Sequence, residues 1–343
     1  MITVNRLLTF FSMRRIIPIL ISFFLVFSGC KNDIDLLTNY KNIIVTYALL
    51  DPADSVHYVR LSKVFLGAGN ALVMAQNADS IGFRIGTVDV KIQQWKNGVL
   101  LNTYQLYSDT TIPRDPGTFH YPYKVLYRGA FPVMKDGSTY KLSVVDLIKG
   151  TTLTAETPIV QDVIMVNPQS NFTPLNLWDT TNFNFKFKSG TFGKRYIFKL
   201  RFHYTEQFIS DTTQTSQHYI DWNLGEQDAQ DASGNELMTF NTRRDHFLDY
   251  CREQIPANVY VRRISGKIDL IFLGAAQELA TYIDVGNASS NSTAALPLYT
   301  NTVGGYGLFS SRTTTSFLNY LIDSDTQNAL IDSQQTQGLN FVR

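Results

Sequence analysis

The sequence predicts a mainly β protein, and three observations carry that class. Apolar and polar residues alternate in runs such as Val88-Asp89-Val90-Lys91-Ile92-Gln93, the period of a strand with one buried and one wet face. Asn97-Gly98 separates two such runs, and both positions of a two-residue hairpin turn favour positive φ. Helical periodicity is confined to two stretches in the last third of the chain.

In chain order, residues 43–50, 56–66, 88–96, 99–107, 123–133 and 139–147 read as strands rich in Val, Ile, Tyr, Leu and Phe. Asp136-Gly137 supplies a second turn before the last of them. Short antiparallel strands at this spacing predict an N-terminal immunoglobulin-like β-sandwich over residues 43–165. Residues 166–181 carry Pro168 and Pro174 with little periodicity, so a linker is expected there. A second β-rich domain, 182–343, follows, with strands at 183–187, 196–204, 219–224 and 265–273. Two helical insertions interrupt it, near 243–255 and 274–284. Thr242-Arg243-Arg244-Asp245 reads as a capping box for the first, whose Phe247, Leu248, Cys251 and Ile255 share one face. Leu279, Ala280 and Ile283 do the same in the second. The tract 287–295, rich in Asn, Ser and Ala, reads as a loop, and no internal repeat is evident.

Ahead of the strands, Arg14 and Arg15 precede the uncharged apolar run 16–27, with Ser28-Gly29 before Cys30. That order is a secretory signal peptide, and Met13 directly before the two arginines suggests a start codon there. A membrane span needs about 20 apolar residues, more than this Pro18-containing run supplies before the polar Lys31-Asn32-Asp33. The placement of Cys30 resembles the lipobox of bacterial lipoproteins, with Phe27 where Leu is commonest. The resemblance implies that residues 1–30 are a lipoprotein signal peptide and that Cys30 is acylated, palmitate included. Residues 31–42 then form a tether, and more than one acyl chain makes anchoring stable. Residues 31–35 also resemble the Lys-plus-acidic export signal of Bacteroidota lipoproteins, although an ordinary solvated tether reads equally well.

Removing residues 1–30 takes away Arg6, Arg14 and Arg15 and no acid, which leaves 27 basic against 29 acidic side chains. A balance so near zero, without a Lys/Arg run, gives no electrostatic footprint for nucleic acid or for anionic lipid. With Cys30 acylated, Cys251 is the remaining thiol, so no disulfide forms within the chain and zinc spacings are absent.

No catalytic residue is assigned. The five histidines, His57, His120, His203, His218 and His246, fall in no nucleophile-elbow or metal-spaced context; His203 and His218 are expected to face each other across a hairpin. The segment 226–236 is rich in oxygen ligands, with Asp228, Asp231 and Glu236 as candidate Ca²⁺ ligands, but its spacing fits no calcium loop and a solvated turn is preferred. No cofactor is expected. Gly304-Gly305-Tyr306-Gly307-Leu308-Phe309 lacks the Gly-Lys-Ser/Thr of a phosphate loop and reads as strand glycines permitting close backbone approach. Trp95, Trp178 and Trp222 are aromatic candidates for a binding platform, with ordinary sandwich packing as the preferred reading. Asp-Ser/Thr-apolar/Thr tripeptides resemble the O-glycosylation pattern of exported Bacteroidota proteins and nominate Ser55, Ser80, Thr110, Thr180 and Thr212.

The combination of lipobox, sandwich, β-rich domain and late Gly-Gly-x-Gly-x-Phe segment resembles uncharacterised outer-membrane lipoprotein families of the Bacteroidota, domains of unknown function. The resemblance implies an outer-membrane protein of the cell envelope, held to the membrane through Cys30 and working beside a TonB-dependent transporter. A non-enzymatic accessory that binds a ligand or partner, with the site in the second domain, is the leading expectation. A surface glycan-binding protein or hydrolase, and a structural or adhesion protein, are the alternatives.

Overall fold

A computed structural model describes residues 43–64, 70–290 and 299–343. The residues of the expected signal peptide and tether, Cys30 among them, lie outside the described residues. The protein is mainly β, as its sequence predicts.

Seven strands build the first half: β1 (Ile43–Leu50), β2 (Val56–Val64), β3 (Val88–Lys96), β4 (Val99–Asp109), β5 (Leu126–Ala130), β6 (Thr139–Asp146) and β7 (Thr152–Pro158). They run β1-β2-β5 on one side and β4-β3-β6-β7 on the other, and β4 turns the corner by pairing with both β3 and β5. This is the order of an immunoglobulin-like sandwich. Its core interleaves Ile44, Leu50 and Val59 with Val90, Ile92, Leu142, Val144 and Leu153. β3 buries every second residue from Val88, and Asn97 and Gly98 turn at φ 51° and 79°. Two short helices, α1 (Ala71–Ala75) and α2 (Ala78–Ile81), fill the β2–β3 connection. Asn70 and Asn77 cap them, each side chain accepting a backbone N–H at 2.9 Å.

The second half has two layers. β8 (Ile164–Asn167), β9 (Asn182–Lys188) and β12 (Leu237–Arg243) form a three-stranded sheet. β10 (Arg195–Phe208), β11 (Thr215–Asp228), β13 (Val261–Ala275) and β15 (Gly305–Tyr320) join the main sheet; β14 (Thr302–Val303) pairs with β7 and β16 (Phe341–Val342) with β13. α3 (His246–Gln254), α4 (Gln277–Ser290) and α5 (Ser324–Asp332) complete it. The core here is aromatic: Phe185 and Phe187 from β9 meet Phe198 and Phe272 from β10 and β13, with ring centroids 4.5 to 4.9 Å apart. Phe247, Leu248, Cys251 and Ile255 are buried on one face of the α3 region, as expected.

Hydrogen bonding crosses the expected domain division even though the two cores part near residue 160. β15 lies parallel to β1 and antiparallel to β13, so one sheet continues through both halves. The glycines make this approach possible: Gly307 sits at φ 121°, and a Cβ there would overlap the Thr46 carbonyl. Within the expected linker 166–181, Leu175 and Leu177 are buried in the second core, and Leu175 N donates to Leu321 O at 2.8 Å.

Two local expectations are corrected. Thr242-Arg243-Arg244-Asp245 is not a capping box: β12 runs through Arg243, the helix starts at His246, and the N-cap Asp245 spends its carboxylate on Arg243 rather than on the helix. The tract 287–295 is not loop from its start, because α4 continues to Ser290; 291–298 lie outside the described residues.

Candidate functional site

Arg60, Arg84, Arg114 and Lys124 line a cleft of about 200 Å³ in the first half. Register places Arg60, Arg114 and Lys124. Arg60 in β2 pairs with Leu126 at the start of β5, and Leu126 pairs in turn with Asp109 at the end of β4. The β4–β5 loop therefore leaves the sheet beside the last residues of β2, and α1 and α2 leave β2 at that same end. The loop supplies Arg114, His120 and Lys124 to the cleft, while Leu61, Ile81, Phe83, Val125 and Leu126 supply apolar wall.

The loop is fastened. Arg114 N donates to Pro122 O at 2.7 Å, His120 N to Ala75 O at 2.9 Å, and Gln76 Nε2 to Thr118 O at 2.6 Å. His120 Nδ1 lies 3.2 Å from Gln76 O, so α1 and the loop hold each other. Arg114 donates from Nη1 to His120 O at 3.3 Å and stands over the Phe119 ring, 5.8 Å from its centroid. Burial, and then the charge of Arg60, pull its pKa below the ordinary arginine value. Among the described residues no carboxylate lies within ion-pair distance of Arg60, Arg114 or Lys124; Asp79, on the cleft wall, is held by Arg84.

The sequence-nominated residues do not converge there. Asp228 is bound by Arg195 at 2.6 and 2.9 Å, Asp231 accepts the Ser233 N–H at 2.8 Å, and Glu236 accepts the Gln230 N–H at 2.7 Å. Each of these carboxylates closes the structure of its own neighbourhood. No group of three or more metal-ligating side chains occurs among the described residues. Trp222 stacks on Tyr250 at 5.8 Å, Trp95 lies under Lys141, and Trp178 is exposed elsewhere, so the three form no common platform.

His203 and His218 do not face each other. His203 pairs with Tyr219 and His218 with Tyr204, a one-residue offset that puts the two rings on opposite faces of the sheet. His203 Nε2 meets Asp269 Oδ2 at 2.7 Å, and Asp269 Oδ1 accepts the Asn319 N–H at 2.9 Å, where bulges in β10 and β13 coincide. His218 Nε2 lies 2.8 Å from Ser216 Oγ and 3.5 Å from Glu206. Serine and carboxylate thus compete for one ring nitrogen, whereas a proton relay needs one on each.

Ser55, Thr110, Thr180 and Thr212 are exposed and Ser80 is half-buried. Three of the tripeptides share a device: Asp109, Asp179 and Asp211 each accept both the N–H and the hydroxyl of the threonine two residues on. The middle threonine is left outward.

Sequence reasoning missed the cleft. Arg60 is an ordinary outward strand residue by pattern, and Arg114 sits in a Pro-rich stretch with no periodicity. The available signal was a loop of some sixteen residues between β4 and β5, a length at which connections are commonly functional. No helix among the described residues is long and apolar enough to cross a membrane. No protein-family model and no curated protein matches the chain.

Proposed function

We propose that the protein is an outer-membrane lipoprotein, tethered by acylated Cys30, that binds a ligand rather than transforming it and serves a TonB-dependent transporter. The observation that carries the binding reading is the cleft: half-buried cation, second cation beside it, apolar wall, and, among the described residues, no carboxylate on Arg60, Arg114 or Lys124. Placing it in the first half revises the expectation of a site in the second domain. The anchor rests on the order Arg14-Arg15, apolar run, Ser28-Gly29-Cys30.

Metabolic labelling with a palmitate analogue tests the anchor. Label in the wild-type protein and its loss, with release from membranes, in Cys30→Ser are expected; an unlabelled wild type that stays membrane-bound overturns it. Purification from native membranes is expected to retrieve a β-barrel transporter, and a clean monomer at native expression counts against that partner.

A further inference from the structure

Resting on that binding reading, we infer that the cleft takes an anionic head group, phosphate or carboxylate, joined to a short apolar body. The head group sits between Arg60 and Arg114, and the apolar part lies on Ile81, Phe83 and Leu126.

Arginine keeps its charge in a protein, so two guanidinium groups near each other cannot relieve their repulsion by losing a proton. Where this chain buries an arginine most deeply, the fold answers its charge with a carboxylate: Asp228 and Asp284 on Arg195, Glu206 on Arg263; the half-exposed Arg201 likewise meets Asp221. At Arg60 and Arg114 it supplies none among the described residues, yet it partly buries Arg114 and fixes the loop that carries it. A ligand oxyanion completes both forks through charge-assisted hydrogen bonds. Lys124, as a further donor without a carboxylate partner among the described residues, adds a point charge to the same opening.

The walls set the rest of the ligand. A bare inorganic anion leaves the apolar surface of Ile81, Phe83 and Leu126 in water; an alkyl substituent covers it. A water's share of liquid volume is about 30 Å³, so a cleft of about 200 Å³ holds a head group and a few carbons, not a whole acyl chain or an oligosaccharide. Exposed Ile85 and Tyr123 continue the apolar surface at the rim, where a longer chain would leave the cleft.

The source of such a group is either a free metabolite or a lipid head group, and two arms separate them. Calorimetric titration of the full chain, purified in a non-ionic detergent, uses octyl phosphate, octanoate, inorganic phosphate and octanol. Octyl phosphate and octanoate are expected to bind with affinity that falls as salt rises. Inorganic phosphate is expected to bind at least tenfold more weakly, and octanol not to saturate. Arg60→Gln and Arg114→Gln are each expected to weaken octyl phosphate at least tenfold. Arg114→Lys is expected to recover part of that loss, and the distant Arg252→Gln to change it less than twofold, with circular dichroism confirming the fold of each. In the second arm, the Cys30→Ser protein meets vesicles of phosphatidylcholine with or without phosphatidylglycerol. Retention on the anionic vesicles that disappears in the Cys30→Ser/Arg114→Gln protein assigns the head group to a bilayer; octyl phosphate binding without retention assigns a free ligand.

No binding of either anionic amphiphile, equal binding of octanol, or unchanged affinity in both arginine variants overturns the inference. Because Cys30→Ser keeps the cleft, a failed anchor with intact titration leaves the ligand class standing, and a labelled anchor with no titration sinks the cleft alone.

Discussion

In the second half of the chain Arg195, Arg201, Arg243, Arg244 and Arg263 each reach a carboxylate, while Arg262 reaches only the Gln207 amide; in the first, Arg84 reaches Asp79, while Arg60 and Arg114 reach none among the described residues. The cores differ in the same direction. Stacked phenylalanines fill the second, and buried arginine forks tie its strands and helices to one another, as when Arg195 holds Asp228 of β11 and Asp284 of α4 at once. The first is mainly aliphatic with fewer rings, Tyr104 stacked on Phe131 among them, and Arg60, Arg114 and Lys124 line an opening. Arginine forks closed by carboxylates serve as scaffold; Arg60 and Arg114, which share one cleft with no carboxylate on either among the described residues, mark where something is left to bind.

The contrast breaks most severely at Arg263. Its side chain is fully buried, donating to Glu206 at 2.7 and 2.9 Å and to the carbonyls of Leu339 and Pro256 at 2.6 and 2.8 Å. Arg263→Leu strands Glu206 and two carbonyls, a loss of about 3–5 kcal/mol, read as a lower denaturation midpoint with unchanged m-value. Next comes the seam between the halves. Gly307→Ala forces a Cβ against Thr46 at positive φ and costs roughly 3 kcal/mol, and it should raise amide exchange in β1 and β15 before the rest of either core.

Acid probes a buried histidine of the first half. His57 is buried, with Nε2 3.2 Å from Phe131 O, and burial holds its pKa below the ordinary value of about 6.5. The unfolded chain therefore binds this proton more readily than the folded one. The stability contribution is intact above about pH 6.5 and is lost as pH falls from there toward the folded value. Denaturant midpoints measured from pH 7.5 to 5 should decline, and His57→Phe should flatten that decline; an equal slope in the variant would remove His57 as its source.

The smallest effect carries the opposite sign. Arg60→Gln removes a charge with no carboxylate partner among the described residues and relieves Arg114, so unliganded stability should stay within about 0.5 kcal/mol of wild type, on the stabilising side. A loss of stability comparable to that of Arg263→Leu would show a hidden partner for Arg60 and erase the contrast.

How much of this was legible follows from which interactions are local. β1 and β3 were read to the residue because alternation and the Asn97-Gly98 turn are written in neighbouring positions. β10 and β11 extend well past the expected 196–204 and 219–224, since their ends pair across bulges that interrupt the pattern. β15 was seen only through its glycines. The Thr313-Thr314-Thr315 stretch that follows is held as strand by β13, at a separation no window of sequence spans. α5 was overlooked although Asp323 caps it by accepting the Thr326 N–H at 2.8 Å, a signal available but set against weak periodicity. Unlike these strands, the cleft has no local signature: Arg60, Arg114 and Lys124 come from a mid-strand position and from both ends of one loop, and the register of three strands brings them together.

A crystal of the protein soaked in selenate and read by anomalous scattering tests the contrast between the halves most directly. A selenium peak between the guanidinium groups of Arg60 and Arg114 is the expected result, with no comparable peak at Arg195, Arg201 or Arg263. An empty cleft, or selenate bound only among the arginines of the second half, would contradict it.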